Sequence, residues 1–159
     1  DNRYSWERAH REASEYYLTT RNYYEFCREI NVLINQYPFV KEYYSFAVEQ
    51  LLFAKRFDDV YPFLVKGYKR YPQALYAKWI GIIDLSKEKV DSAIFYLNES
   101  IKLSSSDAQV HFNLAGAYIK KKMFNEALNS INNCLAVNPN YPDANRLKGQ
   151  LGQITKVNR

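Results

Sequence analysis

The stretch LAGAYIKKKMFNEALNSINNCLAVNP, residues 114–139, holds two short apolar patterns separated by the basic run Lys120-Lys121-Lys122. Before the break, a large residue, Leu114, is followed by a small one, Ala115, and by an aromatic, Tyr118. After it come Phe124, Ala127 and Ile131, and Pro139 closes the unit. Residues three and four apart share a helix face, so this spacing predicts two helices joined by a turn. The Pro cannot sit in a helix interior and marks the passage to whatever follows.

The same pattern recurs upstream. Stepping back from Ala115 by 34, 33 and 34 residues reaches Gly81, Val48 and Ser14. The same steps from Ala127 reach Ala93, Val60 and Phe26, and from Phe124 they reach Val90, Phe57 and Tyr23. Pro139 has counterparts in Pro72 and Pro38, with Ser105 in the third unit. Three independent columns thus return one period, which is the mark of a stacked repeat. The chain resembles the tetratricopeptide repeat (TPR) family, whose 34-residue helix–turn–helix unit places these residue types at these offsets.

The resemblance implies an all-α fold, a right-handed α-solenoid of antiparallel helix pairs. It reads as a single domain over 1–159, with repeats at about 7–40, 41–73, 74–107 and 108–141 and a capping helix over 142–157. The cap is expected to start at Pro142, with Ala144, Leu147, Leu151 and Ile154 as its apolar stripe and a polar outer face. Gly149 lies 34 residues after Ala115. The first two repeats depart from the pattern, since Phe26 and Val60 replace small residues, and Asp84 stands where the family prefers Tyr. Pro62, after Asp58-Asp59, predicts that the second helix of repeat two either starts late, with an Asp as its N-cap, or kinks near its first turns, the late start being favoured.

Composition agrees with a folded domain. Of 159 residues, 47% are apolar and 25% charged, with only five Gly and five Pro, which excludes collagen-like and low-complexity classes. Aromatics reach 16%, and eleven of the fifteen Tyr fall in residues 1–73. No run approaches the roughly eighteen apolar residues of a membrane-spanning helix, and no signal peptide is evident. The first residue is Asp and the one Met is Met123, so the chain reads as processed or cut from something longer, and any targeting signal is hidden. Without paired cysteines, a cytoplasmic reading is favoured over a disulfide-stapled secreted one.

Chemistry-bearing patterns are scarce. His10 and His111 occupy one column of repeats one and four and read as core or seam residues, and Cys27 and Cys134 read as buried free thiols. No nucleophile-elbow, metalloprotease, P-loop or dinucleotide motif occurs, so no catalytic residue, cofactor or metal is expected. The net charge of +5 is modest and uneven. Residues 1–50 carry six basic and eight acidic groups, whereas 111–159 carry seven and two. Lys120-Lys121-Lys122 ends a first helix, where cations complement the helix dipole. Nucleic-acid binding is therefore a third reading, behind a protein-interaction scaffold and an accessory domain of a larger enzymatic or membrane-anchored protein.

In TPR arrays the first helix of each repeat lines a concave groove, and the resemblance carries this onto Arg11 in repeat one and Glu49, Phe46 and Phe53 in repeat two. Repeat three adds Leu75, Lys78, Trp79 and Ile82, and repeat four adds Phe112 and Asn113. The family's carboxylate clamp is not matched in either register: Arg11, Glu15, Phe46, Leu75 and Trp79, or Ser45, Glu49, Trp79, Gln109 and Asn113, occupy its five positions. The expected partner is a protein or peptide held by Phe46, Trp79 and Phe112, with Arg11 and Lys78 as orienting cations. Self-association through an imperfect cap is a further possibility the fold class permits.

Overall fold

A computed structural model describes residues 2–157 of the chain. These residues form the helices α1 (Asn2–Thr19), α2 (Tyr23–Gln36), α3 (Lys41–Phe53), α4 (Phe57–Arg70), α5 (Ala74–Ser86), α6 (Val90–Leu103), α7 (Ala108–Lys120), α8 (Phe124–Val137) and α9 (Ala144–Val157). Among the described residues there is no strand, and no helix is long and apolar enough to cross a membrane. Contacts divide the chain into a first unit ending at Tyr71 and a second beginning at Pro72.

One backbone device produces the repeat. Arg21, Lys55, Glu88 and Lys122, spaced 34, 33 and 34 apart, all take the left-handed conformation, with φ between 55° and 60°. The next residue's N–H then donates back across the helix end: Asn22 to the Tyr17 carbonyl, Arg56 to Leu51, Lys89 to Asp84 and Met123 to Tyr118, at 2.8 to 2.9 Å. This six-to-one bond satisfies carbonyls that the helix terminus leaves open and reverses the chain within three residues. The same four residues open the second helices, each accepting at its carbonyl from the N–H four residues on. Asn22 adds a side-chain cap on the Glu25 N–H at 3.3 Å.

In the first unit, α1 packs on α2, α2 on α3, and α3 on α4. Phe26, Ile30 and Leu33 of α2, Ala47, Val48 and Leu51 of α3, and Val60, Phe63 and Leu64 of α4 are buried. Phe26 fills its small-residue column completely, and its ring meets Phe46 edge-on with centroids 5.8 Å apart. Polar links tie the layers together: His10 Nδ1 to Glu29 Oε2 at 2.5 Å, Tyr44 Oη to the Pro38 carbonyl at 3.1 Å, and Tyr71 Oη to the Phe39 carbonyl at 2.7 Å. Glu29 is 7% exposed, and burial pushes its carboxyl up, but the hydrogen bonds from His10 and Arg28 outweigh that and leave it below its ordinary value.

The late helix start expected at Pro62 does not occur. α4 begins at Phe57, with Arg56 as its N-cap residue, and Pro62 lies inside it. Pro62 is exposed, near the helix start, and its missing N–H removes one bond to the Asp58 carbonyl while the capping backbone bond from Val60 to Arg56 holds the first turn at 2.9 Å. Asp58 and Asp59 sit in that first turn, where they complement the dipole instead of ending the loop.

The second unit is built on closer contacts. Gly81 of α5 faces Leu97 of α6, and a Cβ placed on Gly81 would lie 2.7 Å from Leu97 Cγ and 3.1 Å from its backbone nitrogen. The approach therefore requires glycine. Ala93, Ala115 and Ala127 are fully buried in the matching columns. Leu97, Val110 and Leu114 form one core cluster, and Ala115, Ala127, Ile131 and Leu151 form another. Asp84 is buried in place of the family's aromatic and accepts from Ser92 Oγ at 2.5 Å.

The cap α9 begins at Ala144, two residues after Pro142, because Asp143 takes φ 60°. Ala144 and Leu151 are buried and Leu147 packs on the last core cluster, whereas Ile154 at the end of the stripe is 38% exposed. Gly149 meets no atom within 4 Å, since among the described residues no further helix follows to use its small size.

Candidate protein-interaction site

In the first unit, α1 contributes Glu7, Arg11, Ser14 and Glu15 along one face, at the i, i+4, i+7 and i+8 spacing that aligns side chains on a helix. Ser14 is buried and turns its hydroxyl onto the Arg11 carbonyl at 2.7 Å, so a small side chain stands at this position. From α3 come Glu42, Tyr43 and Phe46, from α2 Ile30 and Leu33, and Val40 stands at the N-cap of α3. Together these ten residues line a pocket of about 340 Å³. Its floor is apolar, made by Ile30, Leu33, Val40 and Phe46, and its rim is charged.

The rim has a fixed part and a free part. Tyr43 Oη donates to Glu7 Oε1, which ties α3 to α1. Burial, and then this hydrogen bond and the Glu7 charge, push the Tyr43 phenol well above its ordinary value. Glu15 and Glu42 are exposed and have no cation partner among the described residues. Arg11 supplies the lone guanidinium. A second hollow of about 250 Å³ continues along α1 over Tyr4, Arg8 and Glu12, where Arg8 Nε and Glu12 Oε1 pair at 2.7 Å.

Of the residues expected from the sequence to meet a partner, Arg11 and Phe46 come together at this pocket. Glu49 is exposed, and Phe53 at the end of α3 is 90% exposed. In the second unit, Leu75 is exposed and Trp79 half-buried, with Lys78 Nζ 6.0 Å from the Trp79 ring centroid. The Lys78 ammonium is engaged by Asp107 at 2.7 Å. Burial raises the Asp107 pKa, but Lys78 and the backbone N–H groups of Val110 and Gln109 outweigh it, and the carboxyl stays below its ordinary 3.8. Ile82 packs on the Leu97 cluster. Phe112 packs beside Ala108, Cys134 and Ala144, with its ring 5.0 Å from Tyr141. Asn113 Nδ2 donates to the Gln109 carbonyl at 2.8 Å.

Sequence reasoning did not single out Glu7, Tyr43, Ile30, Leu33 or Val40. The Glu7–Tyr43 link spans 36 residues, a repeat step plus two, which relates the first helices of adjacent repeats. A search for complementary side chains at that separation is the signal that could have found it.

The reactive residue types are engaged elsewhere. Cys134 is buried; Cys27 is half-buried, and burial together with the Asp59 charge pushes its thiol up to about 11, away from a nucleophilic thiolate. His111 is buried, its Nε2 donating to the Ser105 carbonyl at 3.0 Å. Among the described residues no group of three or more His, Cys, Asp or Glu is placed to hold a metal ion. The basic run is held by carboxylates: Lys120 pairs with Glu88 at 2.8 Å and Lys121 with Asp91 at 2.5 Å.

Comparison with known proteins adds to the helix pattern. A tetratricopeptide-repeat family model matches residues 84–151. Solved structures with the same fold include a MamA protein, 14% identical, with a TM-score of 0.77 over 92% of this chain and 81% of that one. YrrB, described as a TPR protein with an unusual peptide-binding site, is 13% identical, with a TM-score of 0.71 over 90% of this chain and 74% of that one. The TPR domain of Arabidopsis OM64 is 13% identical, with a TM-score of 0.63 over 70% of this chain and 93% of that one. No curated protein sequence matches. Recurring helix pairs, the left-handed turn at each repeat step and the shared fold together make this chain an all-α helical-repeat solenoid, with a segment over residues 84–151 that matches the tetratricopeptide repeat.

Proposed function

We propose that the protein is an interaction scaffold whose first helices dock a segment of a partner protein, without using a carboxylate clamp. The observation that carries this reading is the pocket between α1, α2 and α3, where the half-buried Val40 and Phe46, over the buried Ile30 and Leu33, lie beside charged side chains. Pockets that hold a ligand or anchor residue combine such a floor with a few placed polar groups. Repeat arrays supply extended surface of this kind, and YrrB is described as having a peptide-binding site. Trp79, half-buried beside Leu75 on α5, supplies an aromatic on the first helix of the next repeat. Lys120 and Lys121 already pair with Glu88 and Asp91, which favours protein over nucleic acid at that run.

A photo-crosslinking amino acid introduced in place of Phe46, Trp79 or Phe95 tests this in cells. All three positions carry an aromatic, so the fold tolerates the probe, and Phe95 is 56% exposed on the second helix α6. The expected result is a partner crosslinked from 46, from 79 or from each, and not from 95. Crosslinks from 95 alone overturn the reading.

A further inference from the structure

The chemistry of the first-unit pocket identifies the class of partner, and this deepens the reading above and rests on it. We infer that the pocket selects a segment with one bulky apolar side chain flanked by Lys or Arg. Three observations converge. The space, about 340 Å³ over Ile30, Leu33, Val40 and Phe46, lies at the low end of ligand pockets, fitting for a single anchor side chain. Three carboxylates, Glu7, Glu15 and Glu42, stand on its rim against one guanidinium, Arg11. Among the described residues Glu15 and Glu42 have no cation, whereas Glu12, Glu25 and Asp59 pair with arginines three or four residues away.

The rim is therefore electrostatically unfinished, and a basic segment completes it while its apolar residue covers the floor. An acidic segment would set its charge against Glu15 and Glu42, and Arg11 alone cannot offset both. Tyr43 adds selection of a different kind: its hydroxyl is committed to Glu7, so the pocket wall presents the ring rather than a free polar group. The occupant meets apolar carbon within and carboxylate oxygen at the edge.

The test uses three fluorescein-labelled peptides of equal length with a central Phe, flanked by Lys, by Ser or by Glu, titrated with the full chain and read by fluorescence anisotropy. The Lys-flanked peptide is expected to bind at least tenfold tighter than the Glu-flanked one, with affinity falling as salt rises. Glu15→Gln and Glu42→Gln, both exposed, should each weaken the Lys-flanked peptide by about two- to fivefold while leaving the Ser-flanked one unchanged. Phe46→Leu, which keeps the floor apolar but removes the ring, should weaken the Lys- and Ser-flanked peptides alike.

Equal binding of all three peptides, lost in Phe46→Leu, overturns the charge selection and leaves the docking site standing. Binding that ignores all three substitutions overturns both. Absence of binding to any peptide, with partner crosslinks still formed from position 46, overturns the inference alone. Concentration-dependent dimerisation abolished by Phe46→Leu overturns it too and makes a second copy the occupant.

Discussion

The two units solve one packing problem with opposite chemistry. In the second unit the columns facing the paired helix hold Gly81, Ala93, Ala115 and Ala127, and backbones approach until Gly81 leaves no room for a Cβ beside Leu97. In the first, the same columns hold Ser14, Val48, Phe26 and Val60, and the volume is taken by rings and long-range polar links: Phe26 on Phe46, Tyr43 to Glu7, His10 to Glu29. Both keep the same turn geometry, with one left-handed residue per repeat step. The period thus depends on the backbone reversal and on filled seams, and either small residues or matched aromatics can fill them. The aromatic route leaves half-buried rings and exposed carboxylates beside a pocket of about 340 Å³, which makes the first unit the place of the candidate site.

The comparison breaks most easily at Phe26. If its ring substitutes for close approach, Phe26→Ala opens a cavity that the first unit cannot collapse, and stability should fall by about 3–5 kcal/mol. Trp6 lies in the first unit and Trp79 in the second, so fluorescence of single-Trp variants during urea unfolding reports each separately. The loss should appear at Trp6. A change of less than about 1 kcal/mol would show that the first unit does not depend on the ring.

Gly81→Ala sharpens the other side. The added methyl meets Leu97 Cγ at 2.7 Å, and overpacking of this kind costs about 1–3 kcal/mol, partly offset by the better helix propensity of Ala, about 1 kcal/mol. The net expectation is a loss of about 1 kcal/mol read at Trp79. In a Leu97→Ala background the side-chain clash disappears and only the 3.1 Å approach to the backbone nitrogen remains, so the cost of the same substitution should shrink. A loss of undiminished size there would place the strain on the backbone approach.

The smallest effect concerns acid. Asp107 caps α7 through the Gln109 and Val110 N–H groups and pairs with Lys78, so its folded pKa lies below the unfolded value. A depressed carboxyl adds stability above the unfolded pKa and loses it as pH falls through the folded one. Asp107→Asn, which retains the cap but not the charge, should be slightly less stable than the parent at pH 7, with the gap closing below about pH 4. Both groups are partly solvated, so the difference in urea midpoint should be small. A gap that widens in acid would reverse the assignment.

Much of the fold could be read before any coordinates. The columns ending at Ala115, Ala127 and Phe124 ran through the helix pairs, and Gly81 stood in the column whose other member in the second unit is the small Ala115. The turn geometry was hidden, since Arg21, Lys55, Glu88 and Lys122 occupy left-handed positions where glycine or asparagine would have announced them. Pro62 misled for a related reason: a Pro in the second turn of a helix is tolerated once the first turn is held, and periodicity does not report which turn it falls in. Within the candidate site, Arg11 and Phe46 were legible as residues of first helices, but Glu7, Ile30, Leu33 and Tyr43 were not, because they meet the pocket from different helices.

The sequence by itself determined the period, the all-α class, the pairing of helices and the residues that must be small, because each follows from local spacing and side-chain volume. Only the tertiary structure decided which polar groups are already satisfied. Lys78 is engaged by Asp107, Lys120 by Glu88 and Lys121 by Asp91, while Glu15 and Glu42 are left without a cation among the described residues. A charge becomes available to a partner only when no side chain from another helix reaches it, and that reach is set by how helices about 30 residues apart pack, which no local pattern encodes.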